Sequence, residues 1–333
     1  MNILVTMPVG VTRDTFFPES VRNELAKLGN VTYNETNKDF SEEELAERIR
    51  GIDVAFIGWG THAFTPAVLD RADRLKLICH TGGSVAGYAT EESFDRGIRI
   101  LSGNELYAES VAECVLCFAL VMLRRMPEYI ALMKNKGWRT DGFMNEGLFG
   151  QKFGFIGFGA VARYCVPLLK PFGCELYVHA PHLTQADAEK YGIHLCDTMD
   201  EVFAACKLVS LQLAKTKETF HVIGKKQLEL MPDGAILINT ARGSIINEEE
   251  LCDELEQCRI SAALDVYEQE PLPMDSRLRK LPNVLLMPHM GGPTVDRRQA
   301  VTLALINEVE AVLNGADSKY ECSREMMRRM TTH

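Results

Sequence analysis

Short apolar runs alternate with amphipathic stretches along nearly all of this 333-residue chain, in two successive series. No other feature limits the possible folds as strongly. Two parallel strands need a crossover of roughly a dozen residues or more between them, usually a helix. Repeated strand–helix alternation therefore predicts α/β architecture, with parallel sheets covered on both faces. In the first series the pattern predicts strands over 2–7, 31–34, 54–57, 75–80 and 98–101, and helices over 17–28, 41–50 and 66–70. Ser41 followed by Glu44 forms a capping box, in which hydroxyl and carboxylate satisfy free backbone donors. The second series predicts strands over 152–156, 176–179, 208–213, 235–238, 260–264 and 284–287, then an amphipathic helix over 299–313. Between the series lie a helix over 109–125, ending near Pro127, and a glycine-rich loop or hinge over 135–151 carrying Trp138. After Gly315 the tail is polar and is expected to be loosely held. A chain of this length exceeds what one core usually supports, so two domains are expected.

The formal net charge of −10 argues against a nucleic-acid surface or a polybasic membrane patch. No apolar run is expected to reach the ~20 residues of a membrane span. The first residues, Met1 to Thr6, read as a strand and not as a signal peptide. Ten cysteines among apolar neighbours suggest buried free thiols in a reducing, cytoplasmic compartment. Cys114 and Cys117 match C-x-x-C but lie in a helical run without a second pair, so core packing explains them better than metal or redox chemistry.

The first strand of the second series runs into Gly157-Phe158-Gly159-Ala160-Val161-Ala162, a G-x-G-x-x-A pattern between strand and helix. Gly157 permits the tight turn, Gly159 lets backbone approach a pyrophosphate, and Ala162 allows close helix–strand contact. Ala160 and Val161 offer free helix N–H groups to phosphate. The motif predicts a bound dinucleotide. An acid at the end of the next strand would bind a ribose hydroxyl, but Ala180 stands there. His182, nearby, would suit a 2′-phosphate or is simply a surface histidine. NAD and NADP both remain open.

Three later strands end in chemically loaded groups: Thr240-Ala241-Arg242-Gly243, Asp265 through Glu270-Pro271, and Pro288-His289 with Gly291-Gly292. Ligands of open parallel sheets bind outside the carboxyl ends of the strands. Arg242 is a permanent planar cation suited to a carboxylate. His289 suits proton exchange with a substrate hydroxyl. Glu270 would fix the imidazole tautomer and favour imidazolium. Asp265 would anchor a nicotinamide carboxamide or orient its ring. Each residue alone has an ordinary structural explanation; their joint occurrence at three strand ends points to proton and hydride chemistry on a small anion.

These motifs, with Val111-Ala112-Glu113 and Gly137-Trp138, resemble the D-isomer-specific 2-hydroxyacid dehydrogenase family over nearly the whole chain. The resemblance implies two doubly wound parallel-sheet domains. A Rossmann nucleotide domain (104–289) would be inserted into a flavodoxin-like substrate domain (1–103 and 290–333). It implies an oxidoreductase moving a hydride between NAD(P)H and a small 2-oxo or D-2-hydroxy acid, with Arg242 as substrate anchor, His289 as acid/base and Glu270 as its partner. Ala160, Val161, Ala214, Thr240, Ala241, Asp265, Gly291 and Gly292 would line the cofactor. Members are usually homodimers. Two departures stand out. The family's G-x-x-N-x-D substrate loop has Gly87 and Ala89 at its Asn and Asp places, although the Gly83 and Ser84 amides remain available to a carboxylate. A His-Val-Pro-x-Thr segment is replaced by Gln212-Leu213-Ala214-Lys215-Thr216. The alternative is a nucleotide-sensing, corepressor-like protein with little turnover.

Overall fold

The computed structural model describes residues 1–139, 142, 144–328 and 330. The chain divides into two compact units, Met1–Tyr107 with Pro293–His333, and Ala108–Gly292. In the first, strands β1 (Asn2–Val5), β2 (Asn30–Tyr33), β3 (Val54–Ile57), β4 (Leu77–His80) and β5 (Arg99–Ser102) form one sheet in the order β2-β1-β3-β4-β5. All its pairings are parallel. This is the flavodoxin-like order. β3 and β4 are buried throughout, which is why they read as continuous apolar runs without alternation.

The second unit holds β6 (Lys152–Ile156), β7 (Glu175–His179), β8 (His194–Leu195), β9 (Leu208–Leu211), β10 (Ile236–Asn239), β11 (Ser261–Leu264) and β12 (Val284–Leu286). Their order is β12-β11-β10-β9-β6-β7-β8, again all parallel. Strand order reverses between β6 and β9, the Rossmann switch point where a crevice opens. One core cluster includes Phe153, Phe155 and Val178; another includes Val209, Leu237 and Ala262. Successive residues of one strand thus enter different clusters, Ile236 and Ile238 the first and Leu237 the second, as a period of two requires.

Several expectations need correction. The helix predicted to stop near Pro127 spans Asn104–Leu123, and a second helix follows at Met126–Lys134. Arg125 adopts φ 52 between them, and Pro127 falls in the first turn of the second helix, where its missing N–H costs nothing. Asn104–Leu123 is also long and apolar enough to cross a membrane by length and composition, contrary to expectation. Its Ala112, Val115, Phe118, Ala119 and Leu123 are instead committed to the core of the second unit. The described part of the segment 135–151 carries no helix or strand, with Thr140, Asp141 and Phe143 outside the described residues.

The tail is not loose over its described length. Ser102 N–H donates to Tyr320 O at 2.9 Å, and Cys322 N–H donates to Ile100 O at 2.8 Å. Arg99 pairs with Glu321, Arg328 with Glu91, and both Cys322 and Met327 are buried. The tail covers the open edge of β5 through backbone pairing, a contact with no side-chain periodicity to announce it. Arg329 and Thr331 to His333 lie outside the described residues.

Gly157 sits at φ 91, and a Cβ there would lie 2.5 Å from Gln212 O. We expect Gly157→Ala to lose ~2 kcal/mol or more of stability from left-handed strain and overlap together. Chemical denaturation of the two proteins measures the difference.

Candidate active site

Because every strand of the second sheet runs the same way, the turns after β6, β9, β10, β11 and β12 share one edge. At the first, Gly157 bends the chain and Gly159 caps helix Ala160–Leu169 without any side-chain cap. The first helical N–H groups, including those of Ala160 and Val161, are left to an outside acceptor. A Cβ at Gly159 would meet nothing within 4 Å, so the backbone is open on that side. These features fit a pyrophosphate. No carboxylate stands at the end of β7. Ala180 is buried there, while His182 is exposed.

After β10, Asn239 is fully buried and builds the turn. Its side-chain amide donates to Arg242 O at 3.0 Å, and its oxygen accepts from Ala241 N–H at 3.1 Å. Thr240 Oγ1 accepts from Gln212 Nε2 at 3.3 Å, tying this turn to the one after β9, where Ala214 is exposed. The Arg242 guanidinium donates through Nη1 to Ala241 O at 2.6 Å. Its buried Nε has no partner among the described residues. Burial pulls the Arg242 pKa down and nearby Glu270 pulls it back up. A guanidinium remains charged at any physiological pH, so the site holds an under-neutralised cation with donors to spare.

His289 Nδ1 and Glu270 Oε2 lie 2.6 Å apart. A carboxylate only accepts, so Nδ1 carries the proton and Nε2 is the nitrogen that exchanges with a ligand. The hydrogen bond to Glu270 raises the His289 pKa above its ordinary 6.5, against burial. Burial pushes the Glu270 carboxyl up, but hydrogen bonds from His289 and Tyr267 N–H prevail and hold it below 4.5. Glu270 precedes a cis peptide to Pro271.

Asp265 does something the sequence reading did not foresee. Its side chain is buried, and its two oxygens accept from Met290 N–H at 2.7 Å and Gly291 N–H at 2.8 Å. The carboxylate fastens the turn in which His289 adopts φ 56. Burial raises its pKa and the two amides oppose the rise. Tyr267 was also missed. Its hydroxyl lies 3.1 Å from Leu264 O and 2.8 Å from Met287 O, joining the ends of β11 and β12. The signal was an aromatic with a polar tip directly after a strand. Cys114 adjoins the Asp265–Gly291 turn, and burial with the Asp265 charge pushes its thiol up to about 12. It stays a neutral packing residue, and no metal-binding group occurs among the described residues.

The structure thus brings Arg242, Asp265, Glu270, His289 and Gly291 into one constellation, at the same edge as the glycine turn; His182 is exposed in the loop after β7. Gly292 closes this unit. Gly83 and Ser84 belong to the first unit, in the loop after β4. There Ser102 Oγ donates to Gly83 O at 2.5 Å and props the backbone.

A parallel nucleotide-type sheet carrying an imidazole–carboxylate pair beside a guanidinium defines a class of dehydrogenase-like folds. Residues 116–291 match the NAD binding domain of the D-isomer specific 2-hydroxyacid dehydrogenases, and the chain belongs to that family. It is 32% identical over 316 residues to a D-3-phosphoglycerate dehydrogenase of Methanocaldococcus jannaschii, covering 95% of this chain and 58% of the relative. The chain thus spans little more than half the length of that relative. A glyoxylate reductase of Thermococcus litoralis is 29% identical over 279 residues, covering 81% of this chain and 83% of the relative. The D-lactate dehydrogenase of Lactobacillus jensenii, solved with NAD+, superposes with a TM-score of 0.82 at 21% identity, covering 97% of this chain and all of its own. That likeness is one of fold.

The pKa directions set a stability window. Glu270, with its pKa lowered, contributes stability above its ordinary 4.5 that is lost as pH falls through the depressed value. His289, with its pKa raised, contributes below 6.5 and loses it as pH rises through the elevated value. Both contributions are present between. Glu270→Gln should therefore destabilise most between pH 4.5 and 6.5, and less on either side. The pair is half exposed, so the expected difference is only about 0.5–1 kcal/mol. Denaturation curves collected across this range test the sign.

Proposed function

We propose that the protein is an NAD(P)-dependent oxidoreductase that interconverts a small 2-oxo acid and the corresponding D-2-hydroxy acid. The observation that carries the reading is the 2.6 Å His289–Glu270 pair beside the under-neutralised Arg242. Gly157, Gly159, Ala160 and Val161 would hold the pyrophosphate. Ala214, Thr240, Ala241, Asp265, Gly291 and Gly292 would surround the rest of the cofactor. A bound nicotinamide supplies or accepts the hydride. His289 Nε2 gives a proton to the carbonyl oxygen in the reductive direction and takes it back in the oxidative one. Glu270 keeps the imidazole protonated and correctly turned. Arg242 binds the substrate carboxylate by a charge-assisted fork. In the first unit, the Gly83 and Ser84 amides are assigned to an anion.

Residues 1–103 with 290–333 are assigned to substrate binding and 104–289 to the nucleotide. Exposed Met126, Ile130, Met133, Trp138, Met144 and Phe149 support a homodimer formed through the second unit. The ten free cysteines support a cytoplasmic location.

Purified protein with a panel of 2-oxo acids and either reduced cofactor should show loss of the reduced-cofactor absorbance. His289→Ala and Arg242→Ala should each lower kcat/KM by about 10²- to 10⁴-fold. Equal turnover by both variants removes the assignment. Arg242→Lys should not restore activity, because an ammonium lacks the planar fork.

A further inference from the structure

A second histidine–carboxylate pair lies in the same unit, one loop away from the first. His221 Nε2 pairs with Glu268 Oε1. His221 is held at φ 50, uncommon for a residue with a side chain. Its backbone N–H donates to Ser244 O at 2.9 Å, two residues beyond Arg242. Next to it, Ile223 and Ile246 form an isolated parallel bridge. The segment after β9 is thus zipped onto the Arg242 turn.

Glu268 lies two residues before Glu270, in the loop whose Tyr267 N–H holds Glu270 Oε1 at 3.0 Å. It is gripped from a further direction. Glu268 N–H donates to Glu248 Oε2 at 3.1 Å, and Glu248 N–H donates to Glu268 Oε1 at 3.4 Å. Glu248 opens helix Glu248–Glu256, so Glu268 sits at its positive end. Gly243 is pressed so closely on this loop that a Cβ would overlap the Tyr267 carbonyl carbon. Two carboxylates, Glu248 and Glu268, consequently face each other. Burial and the Glu268 charge raise the Glu248 pKa, opposed by the Glu268 N–H. The His221 imidazole pairs with Glu268 and stacks on the Phe220 ring, and Glu248 is the carboxylate next to Glu268.

We propose that His221 is a positioning residue: by engaging Glu268 it binds the loops after β9, β10 and β11 together and holds Glu270 in hydrogen-bonding register with His289. The inference rests on the proposed role of the His289–Glu270 pair, but not on turnover. Remove the imidazole, and Glu268 loses its partner on the His221 side while still facing the Glu248 carboxylate. The loop then relaxes from its anchor and Glu270 drifts from Nδ1. His221 touches no reacting atom, so its loss should lower kcat and leave the KM for oxo acid nearly unchanged.

The test uses the whole protein without cofactor and follows the imidazole resonances of His289 by NMR against pH, assigned through a His289→Gln variant. His221→Asn tolerates the left-handed backbone and removes the ring. We expect the His289 midpoint to fall by about 0.5 pH in that variant. In turnover, we expect kcat to fall about 5- to 20-fold with KM within about twofold. His221→Gly, which also tolerates the left-handed backbone and removes the ring, should act in the same direction and serves if His221→Asn does not fold. Adding Glu248→Gln to His221→Asn should recover much of both effects by removing one of the two opposed carboxylates. An unmoved His289 midpoint in both single variants overturns the proposal, as does failure of the double variant to recover it. If wild type turns over no oxo acid, the proposed reaction fails while the titration still decides the role of His221.

Discussion

Parallel pairing is the constraint from which the rest follows. A chain that pairs in parallel must return across a face of the sheet before each new strand, so the turns leaving the strands all gather at one edge. In the second unit that edge receives the glycine turn after β6 and the loops after β9, β10, β11 and β12. Gly157 and His289, 132 positions apart, therefore end up on one side of one sheet. The chemistry is assembled by topology before any side chain is chosen. What the side chains then decide is how firmly each loop is held.

They hold it with buried polar groups, each given its partners. Asp265 would be costly in the interior unless its charge were met by donors, and the turn after β12 supplies two amides. Tyr267 ties β11 to β12 through its hydroxyl, and Asn239 closes the turn after β10 with both ends of its amide. Arg242 differs from these three, since its buried Nε lacks a hydrogen-bond partner among the described residues. A network that satisfies its frame and leaves one cation incompletely paired is organised to receive an anion.

The sheets were legible because strands buried on both faces write themselves as apolar runs; β3, β4, β9 and β10 were all read that way. Arg242, Glu270 and His289 were legible because each follows such a run. What escaped was whatever depends on contacts without periodicity. β8 has two residues, too few for a pattern. Helix Val11–Phe16 is one turn and a half without a capping side chain. Pro127 read as a stop although it begins the next helix, a distinction set by the backbone of Arg125. The tail pairs with β5 through its main chain. Asp265 was seen as a site residue, but which groups its oxygens would meet depended on a turn 25 residues away.

Asp265 and Glu270 show how one loop can serve two electrostatic ends. Both carboxylates follow β11, five residues apart, and both act on His289. Asp265 is buried, and its oxygens accept backbone donors on the carboxyl side of the histidine. Glu270 is more exposed and accepts a hydrogen bond from the ring Nδ1–H. One fixes where the imidazole sits and the other fixes which nitrogen is protonated. Exchanging their burial would fail on both counts: a buried Glu270 with only the Tyr267 amide to meet it would rise in pKa and surrender its charge, and an exposed Asp265 would lose its hold on the turn to water. The short run from Asp265 to Glu270 therefore encodes a rigid scaffold and a titrating partner within one loop, and the parallel sheet delivers both to the same histidine.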